Sequence, residues 1–175
     1  MPSRIPMTER QRAALLALPD NEATVVRHHG LDIEDLAAIG TARTPATRLG
    51  YALQLCCLRY PGRHLRAGEL LPAIMLHHIA EQVGVDASVI ADFARRTPTR
   101  YDQLGTIKTR FGFTDLSRPA RAKIMTWLET EAMPIVDGRI LLDQLLDELR
   151  TRRIVIPGIS VVERMAAEAM HRAET

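Results

Sequence analysis

The dipeptide Thr-Pro stands twice in the chain, at Thr44-Pro45 and Thr97-Pro98, 53 residues apart. The flanks match as well: A-R-T-P-A-T-R runs from 42 to 48 and A-R-R-T-P-T-R from 94 to 100. Gly30-Leu31-Asp32 answers Gly84-Val85-Asp86 at a spacing of 54, and Tyr60-Pro61-Gly62 answers Phe111-Gly112. Three landmarks in one order at a common spacing mark an internal duplication, so the chain is built from two related units in tandem.

The landmarks are helix punctuation. A threonine before a proline is an N-cap followed by the residue best suited to the first helical position. Thr8 with Gln11 forms a capping box, and Asp20, Asp32, Asp86 and Ser117 stand where they can cap further helices. Gly30 and Gly84 stand where a left-handed residue would end a helix. Pro72 opens one helix, Asp137-Gly138 precedes a Leu-rich one, and Ser160 with Glu163 predicts a final capping box. Alternation of apolar and polar positions is missing, and only 153–156 reads as a strand before Pro157-Gly158 stops it. The expectation is an all-α chain of about nine helices. The helix at 49–58 is apolar nearly all round, which predicts a central buried helix with Cys56 and Cys57 in the core. Trp127 is expected as a core anchor.

In each repeat a helix, a tight glycine turn and a second helix follow one another, the layout of a helix-turn-helix. The second copy fits well, with Ile79, Ala80, Val83, Val85, Ile90 and Phe93 at the positions that must be buried. The first copy fits more loosely, with Val25, Val26, His29, Leu31, Leu36 and Ile39. Helix-Gly-helix turns also occur in all-α proteins that bind no nucleic acid.

The charge pattern bears on that choice. The net charge is only +2, but no acid occurs from 36 to 68, where five arginines stand: Arg43, Arg48, Arg59, Arg63 and Arg66. From 94 to 128, Arg95, Arg96, Arg100, Lys108, Arg110, Arg118, Arg121 and Lys123 face only Asp102 and Asp115. From 129 to 149 the sign inverts, with six acids against Arg139. The two basic blocks fall on the third helices of the repeats, as phosphate binding requires. A solvated helix face gives a similar run. Of the 23 basic residues all but Lys108 and Lys123 are arginine, which suits bidentate phosphate contact. GC-rich coding produces the same bias.

The candidate DNA contacts are therefore Arg43, Thr44, Thr47, Arg48, Arg63 and Arg66 around the first Thr-Pro helix start, and Arg95, Arg96, Thr97, Thr99, Arg100, Lys108 and Arg110 around the second. Helix N-termini present free N–H groups and a positive dipole end, which favours phosphate. The stretches 33–42 and 87–96 are candidates for groove entry. Asp86 and Asp92 argue against deep insertion of the latter, which leaves the next helix as the contact.

Other chemistry is missing. His28-His29 and His77-His78 are adjacent pairs, not the spacing of three or four that a helical metal site needs. No phosphate-cradling glycine loop and no nucleophile elbow occur. No catalytic residue, metal, cofactor or small-molecule substrate is expected. There is no run long enough for a membrane span and no signal peptide, and two adjacent cysteines suit a reducing compartment.

Four stretches resemble a known family: L-L-A-L-P-D (15–20), R-L-G-Y-A-L-Q-L-C-C-L-R-Y-P-G-R (48–63), R-R-T-P-T-R-Y-D-Q-L (95–104) and R-R-I-V-I-P-G-I-S-V-V-E-R (152–164). Together they are similar to the N-terminal region of Tn-three family transposases, and the likeness covers nearly the whole chain. It implies recognition of terminal inverted repeats of a replicative transposon, with catalytic carboxylates far downstream in a ribonuclease-H-like domain that 175 residues cannot contain. No catalytic residue carries over, and the family's motifs assign none of the contacts named above.

The resulting expectation is a non-catalytic, all-α chain in three segments. Residues 1–68 hold the first helix-turn-helix-like module, 69–113 the second, and 114–175 a helical segment leading to the rest of a transposase. The expected partner is double-stranded DNA at transposon ends, with a homodimer through the rest of the transposase, in the bacterial cytoplasm at the nucleoid. The alternative is a helical interaction or dimerisation module without DNA contact.

Overall fold

The computed structural model describes residues 5–94, 97–134 and 137–175, and their side chains apart from those of 94 and 97–99. Ten α-helices lie among the described residues: α1 (Glu9–Leu15), α2 (Glu22–His28), α3 (Ile33–Ile39), α4 (Pro45–Arg59), α5 (Ala73–Val83), α6 (Ile90–Ala94), α7 (Thr97–Phe111), α8 (Arg118–Ala132), α9 (Gly138–Thr151) and α10 (Ile159–Glu174). A 3-10 turn, Ala87–Val89, precedes α6. Two-residue strands β1 (Thr114–Asp115) and β2 (Ile154–Val155) pair in parallel, Thr114 opposite Ile154. The all-α expectation holds, with the one strand candidate realised as that short bridge.

Most of the caps stand where the residues demand them. Thr8, Asp32 and Thr44 each accept from the backbone N–H three residues on and complete reciprocal capping boxes. Ser117 and Asp137 cap α8 and α9, and Gly84, at φ 78°, ends α5 in the left-handed region. Four expectations are corrected. Asn21, not Asp20, caps α2. Gly30 is not left-handed: α2 ends at His29, whose carbonyl accepts from Gln82 Nε2 at 2.8 Å while Leu31 N–H donates to Gln82 Oε1 at 2.8 Å. A side chain from α5 thus satisfies the turn that a glycine motif would have closed. Of the helix expected over 87–96, the described residues 87–94 form the 3-10 turn followed by α6, and 95–96 lie outside the described residues. Ser160 lies inside α10, whose N-cap is Gly158 and which so starts without a side-chain cap; Ser160 Oγ and the Glu163 carboxylate accept from Arg12 instead, the carboxylate at 2.9 Å.

The chain divides into two compact units: a split unit, Met1–Ala17 with Thr114–Thr175, and a continuous unit, Leu18–Phe113. These do not coincide with the three expected segments. Residues 1–17 group with the C-terminal helices, and the two repeats form one unit. The split unit closes around Leu128, Leu141, Leu142, Leu145, Leu149, Val162, Met165 and Ala166, with Ile5 and Leu16 joining from the N-terminal side. Trp127 packs partly buried against this core, and the Arg152 guanidinium lies 5.9 Å from its ring centre. Burying so many Leu side chains, at about 1.5–3 kcal/mol each, is the main force holding these helices.

The continuous unit is organised around α4. Every residue from Leu49 to Leu58 is buried, and α3, α5, α6 and α7 all pack on this helix. Gly50 is required for close approach: a Cβ there would lie 2.2 Å from the ring of Phe93 on α6. Val25, His29, Ile39, Ile79, Ala80 and Phe93 are buried as the repeat predicts. Val26 and Leu36, expected inward in the first copy, are 55% and 37% exposed.

Candidate nucleic-acid interface

The continuous unit carries all thirteen expected contact residues. Arg43 is exposed just before the α4 cap. Thr44 Oγ1 accepts from Thr47 N–H at 3.1 Å and Thr47 Oγ1 accepts from Thr44 N–H at 3.0 Å. Both hydroxyls therefore serve the helix start. Arg48 folds back, its Nε donating to Ala42 O at 2.9 Å.

The other arginines of the acid-free stretch divide by partner. Arg59 binds Asp35 with both guanidinium nitrogens, at 2.7 and 2.8 Å, and its guanidinium lies 5.3 Å from the centre of the Phe111 ring. The Arg59 hydrogen bonds hold the Asp35 carboxyl below the usual carboxylate range against the cost of burial. Arg63 is buried and binds Glu69 at 2.9 and 2.6 Å. Burial works against the Glu69 carboxylate, but the Arg63 guanidinium and the Arg66 N–H outweigh it and lower its pKa. Two of the five arginines are thus neutralised by the carboxylates just outside the stretch. Arg66 is exposed beside this pair.

Around the second helix start, Arg95 and Arg96 lie outside the described residues, as do the side chains of Thr97 and Thr99. Arg100, half-buried, donates through Nη2 to Leu65 O. Gln103 Nε2 donates to Thr47 O and Gln54 Nε2 to Gln103 Oε1, each at 2.9 Å. These bonds bring the Arg100–Gln103 side of α7 onto α4 and the loop holding Leu65 and Arg66. Lys108 is half-buried and Arg110 exposed. The structure thus brings the two helix starts together through Thr47, Gln103 and Arg100. It separates Arg63 from the surface group.

Two features were missed by counting charges along the chain. Asp35–Arg59 spans 24 residues, so nothing local announced it. The Gln54–Gln103–Thr47 chain reads in sequence as ordinary polar residues in two helices. The stretch 33–42, expected as a groove-entry element, presents Ile33, Glu34, Leu36 and Ala37 to solvent and no cation from α3 itself.

Titratable groups inside the unit are structural. Burial pushes the Cys56 and Cys57 thiols up to about 12, so they are inert core residues at neutral pH. His29 is fully buried with Nε2 2.8 Å from Tyr60 O, and burial lowers its pKa. The neutral ring then donates from Nε2. Among the described residues no three His, Cys, Asp or Glu gather as around a metal ion, and no helix is long and apolar enough to cross a membrane.

Comparison with known proteins bears on this basic surface. The chain is 35% identical over 173 residues to the transposase for transposon Tn21 of Escherichia coli. It is 33% identical to that for Tn501 of Pseudomonas aeruginosa and 30% to that for Tn1546 of Enterococcus faecium. These alignments cover 99%, 99% and 96% of this chain. The chain spans only 18%, 18% and 17% of the length of these relatives. The likeness to Tn-three family transposases expected from the four motif stretches is therefore found across almost the entire chain. A family model described as Domain of unknown function (DUF4158) matches residues 7–169, and the chain belongs to that family.

Proposed function

We propose that this chain is a DNA-recognition part of a transposase that binds the terminal inverted repeats of its transposon. The observation that carries the reading is its similarity, over 99% of its length, to proteins whose names are transposases of transposons. The charge geometry supports it. With Asp35 and Glu69 occupied by Arg59 and Arg63, Arg43, Arg66 and Arg110 are left exposed on the continuous unit. In this reading the two repeats, both within Leu18–Phe113, act as tandem helix-turn-helix-like modules that meet at residues 68 and 69. Residues 114–175 connect them to the remainder. Phosphates are held by Arg43, Arg48, Arg66, Lys108 and Arg110, with Arg95, Arg96, Thr97 and Thr99 completing the second helix start and Arg100 tying that start to Leu65. Thr44 and Thr47 hold the first in shape. Arg63 stays out of the contact set because its guanidinium is spent on Glu69. The site of action is the bacterial nucleoid, the chemistry of strand transfer belongs to other parts of the transposase, and the homodimer forms there too.

Salt titration of binding to transposon-end duplex tests this. Neutralising about five to eight phosphates gives a slope of log K against log salt of roughly −4 to −7. End duplex and scrambled duplex bound equally, with no slope, would overturn it. That outcome would favour a helical interaction module, for which Ile33, 86% exposed on a helix face without cations, is the specific support.

A further inference from the structure

Resting on that DNA-binding reading, we infer that the outward face of α7 enters the major groove and reads base edges, with Tyr101, Asp102, Gly105, Thr106 and Thr109 as the reading set. On a helix, residues four apart stack in rows. Arg100, Gln103 and Ile107 point to the interior: Arg100 and Gln103 through their bonds to Leu65 O and Thr47 O, and Ile107 through complete burial. The opposite side carries two adjacent rows, Tyr101–Gly105–Thr109 and Asp102–Thr106–Arg110, and all six residues are exposed. At 1.5 Å per residue α7 is about 22 Å long, enough to cross a groove about 12 Å wide.

Three observations pick duplex DNA as the occupant. Arg110 closes one row with an exposed positive charge, and the same unit exposes Arg66 beside Leu65, the residue that Arg100 binds from the start of α7. On this face Asp102, Thr106 and Thr109 are short and polar, the chemistry that meets base edges, and Tyr101 adds an exposed ring with a hydroxyl. A threonine offers a hydroxyl and a methyl, and a carboxylate accepts from cytosine N4. Gly105 sits in mid-helix where a Cβ would meet nothing within 4 Å. Packing gives no reason for it, although glycine weakens a helix interior. Close approach of another molecule's surface gives one. Neither other stretch offers this. The exposed face of α3 is apolar and acidic, and the described part of α6 exposes Asp92 and no cation.

The test uses the full chain and a duplex selected by it from a randomised pool, compared with the same duplex scrambled. Gly105→Gln, a good helix former in open space, should keep the circular dichroism of the parent. It should weaken binding to the selected duplex about tenfold or more while leaving the scrambled one nearly unchanged. Thr109→Val should lose about tenfold discrimination at one base pair, and Asp102→Ala should bind scrambled duplex more tightly but select less. Wild-type affinity in Gly105→Gln and Thr109→Val, with binding weakened in Arg43→Ala/Arg66→Ala, leaves DNA binding standing and removes α7 as the reader. Equal weakening on both duplexes also removes base reading by this face. A parent chain that enriches no duplex overturns the DNA-binding reading itself.

Discussion

Helices α4 and α7 start alike and end in opposite environments. Both run for 15 residues from a Thr-Pro start in equivalent places of the duplication. In α4 ten consecutive residues are buried; among the described side chains of α7 only Ile107 is. The two copies have divided the labour of one motif. The first became the axis on which the unit packs, and the second kept a solvated side. In shared register, Leu53 of α4 corresponds to Thr106 of α7 and Ala52 to Gly105, so apolar has become short and polar where α7 faces out.

The largest effect that could break this contrast is cavity formation. Leu53→Ala should cost about 2–5 kcal/mol, whereas Thr106→Ala should stay within about 0.5 kcal/mol. Chemical denaturation measures both, and comparable losses would end the contrast. Next comes the ion pair that anchors α3 to the end of α4. Asp35 is 3% exposed, and Asp35→Ala should cost about 2–3 kcal/mol, somewhat less than a fully buried pair because Arg59 is partly solvated. The folded pKa of Asp35 is lowered. Its contribution is therefore complete above the unfolded value of about 4 and is lost as pH falls through the lower folded value. Denaturation midpoints from pH 6 downward should show a fall in the parent that is shallower in Asp35→Asn.

Glycine exchange gives a smaller effect of opposite sign in the two helices. Gly50→Ala places a methyl against the Phe93 ring and should destabilise by about 1–3 kcal/mol. Gly105→Ala should stabilise by about 0.5–1 kcal/mol, visible as a raised melting temperature. The smallest expected change is electrostatic. Arg43→Ala, at the mouth of α4, should make the salt slope of DNA binding shallower by about one, with stability unchanged.

How much of this was legible depended on range. Caps are local, so Thr8, Asp32, Thr44, Ser117 and Asp137 announced their helices within three or four residues. The burial of 49–58 followed from an apolar character with no polar side. What failed was anything settled by a distant side chain. Gly30 reads as a terminator until Gln82 reaches across from α5 to take both ends of the turn. Ser160 and Glu163 read as a capping box, yet the N-cap of α10 is Gly158 and both side chains turn to Arg12, far away in sequence. Arg59 and Arg63 read as open cations because the stretch around them holds no acid, yet Asp35 and Glu69 sit just beyond its two ends. Charge counted along a chain identifies a basic segment, but only the fold says which of its charges face a partner.

The split unit has a consequence for the order in which the chain takes shape at the ribosome. Helix α1 emerges long before the residues it docks on: Arg12 and Ser160 are 148 positions apart. The continuous unit has its whole sequence once Phe113 is out, so it can condense while α1 still waits. Closing so long a loop is entropically slow. Helix α1 therefore finds its seat only after the continuous unit between the two halves of the split unit has been made, and the arrival of α10 is what locks it.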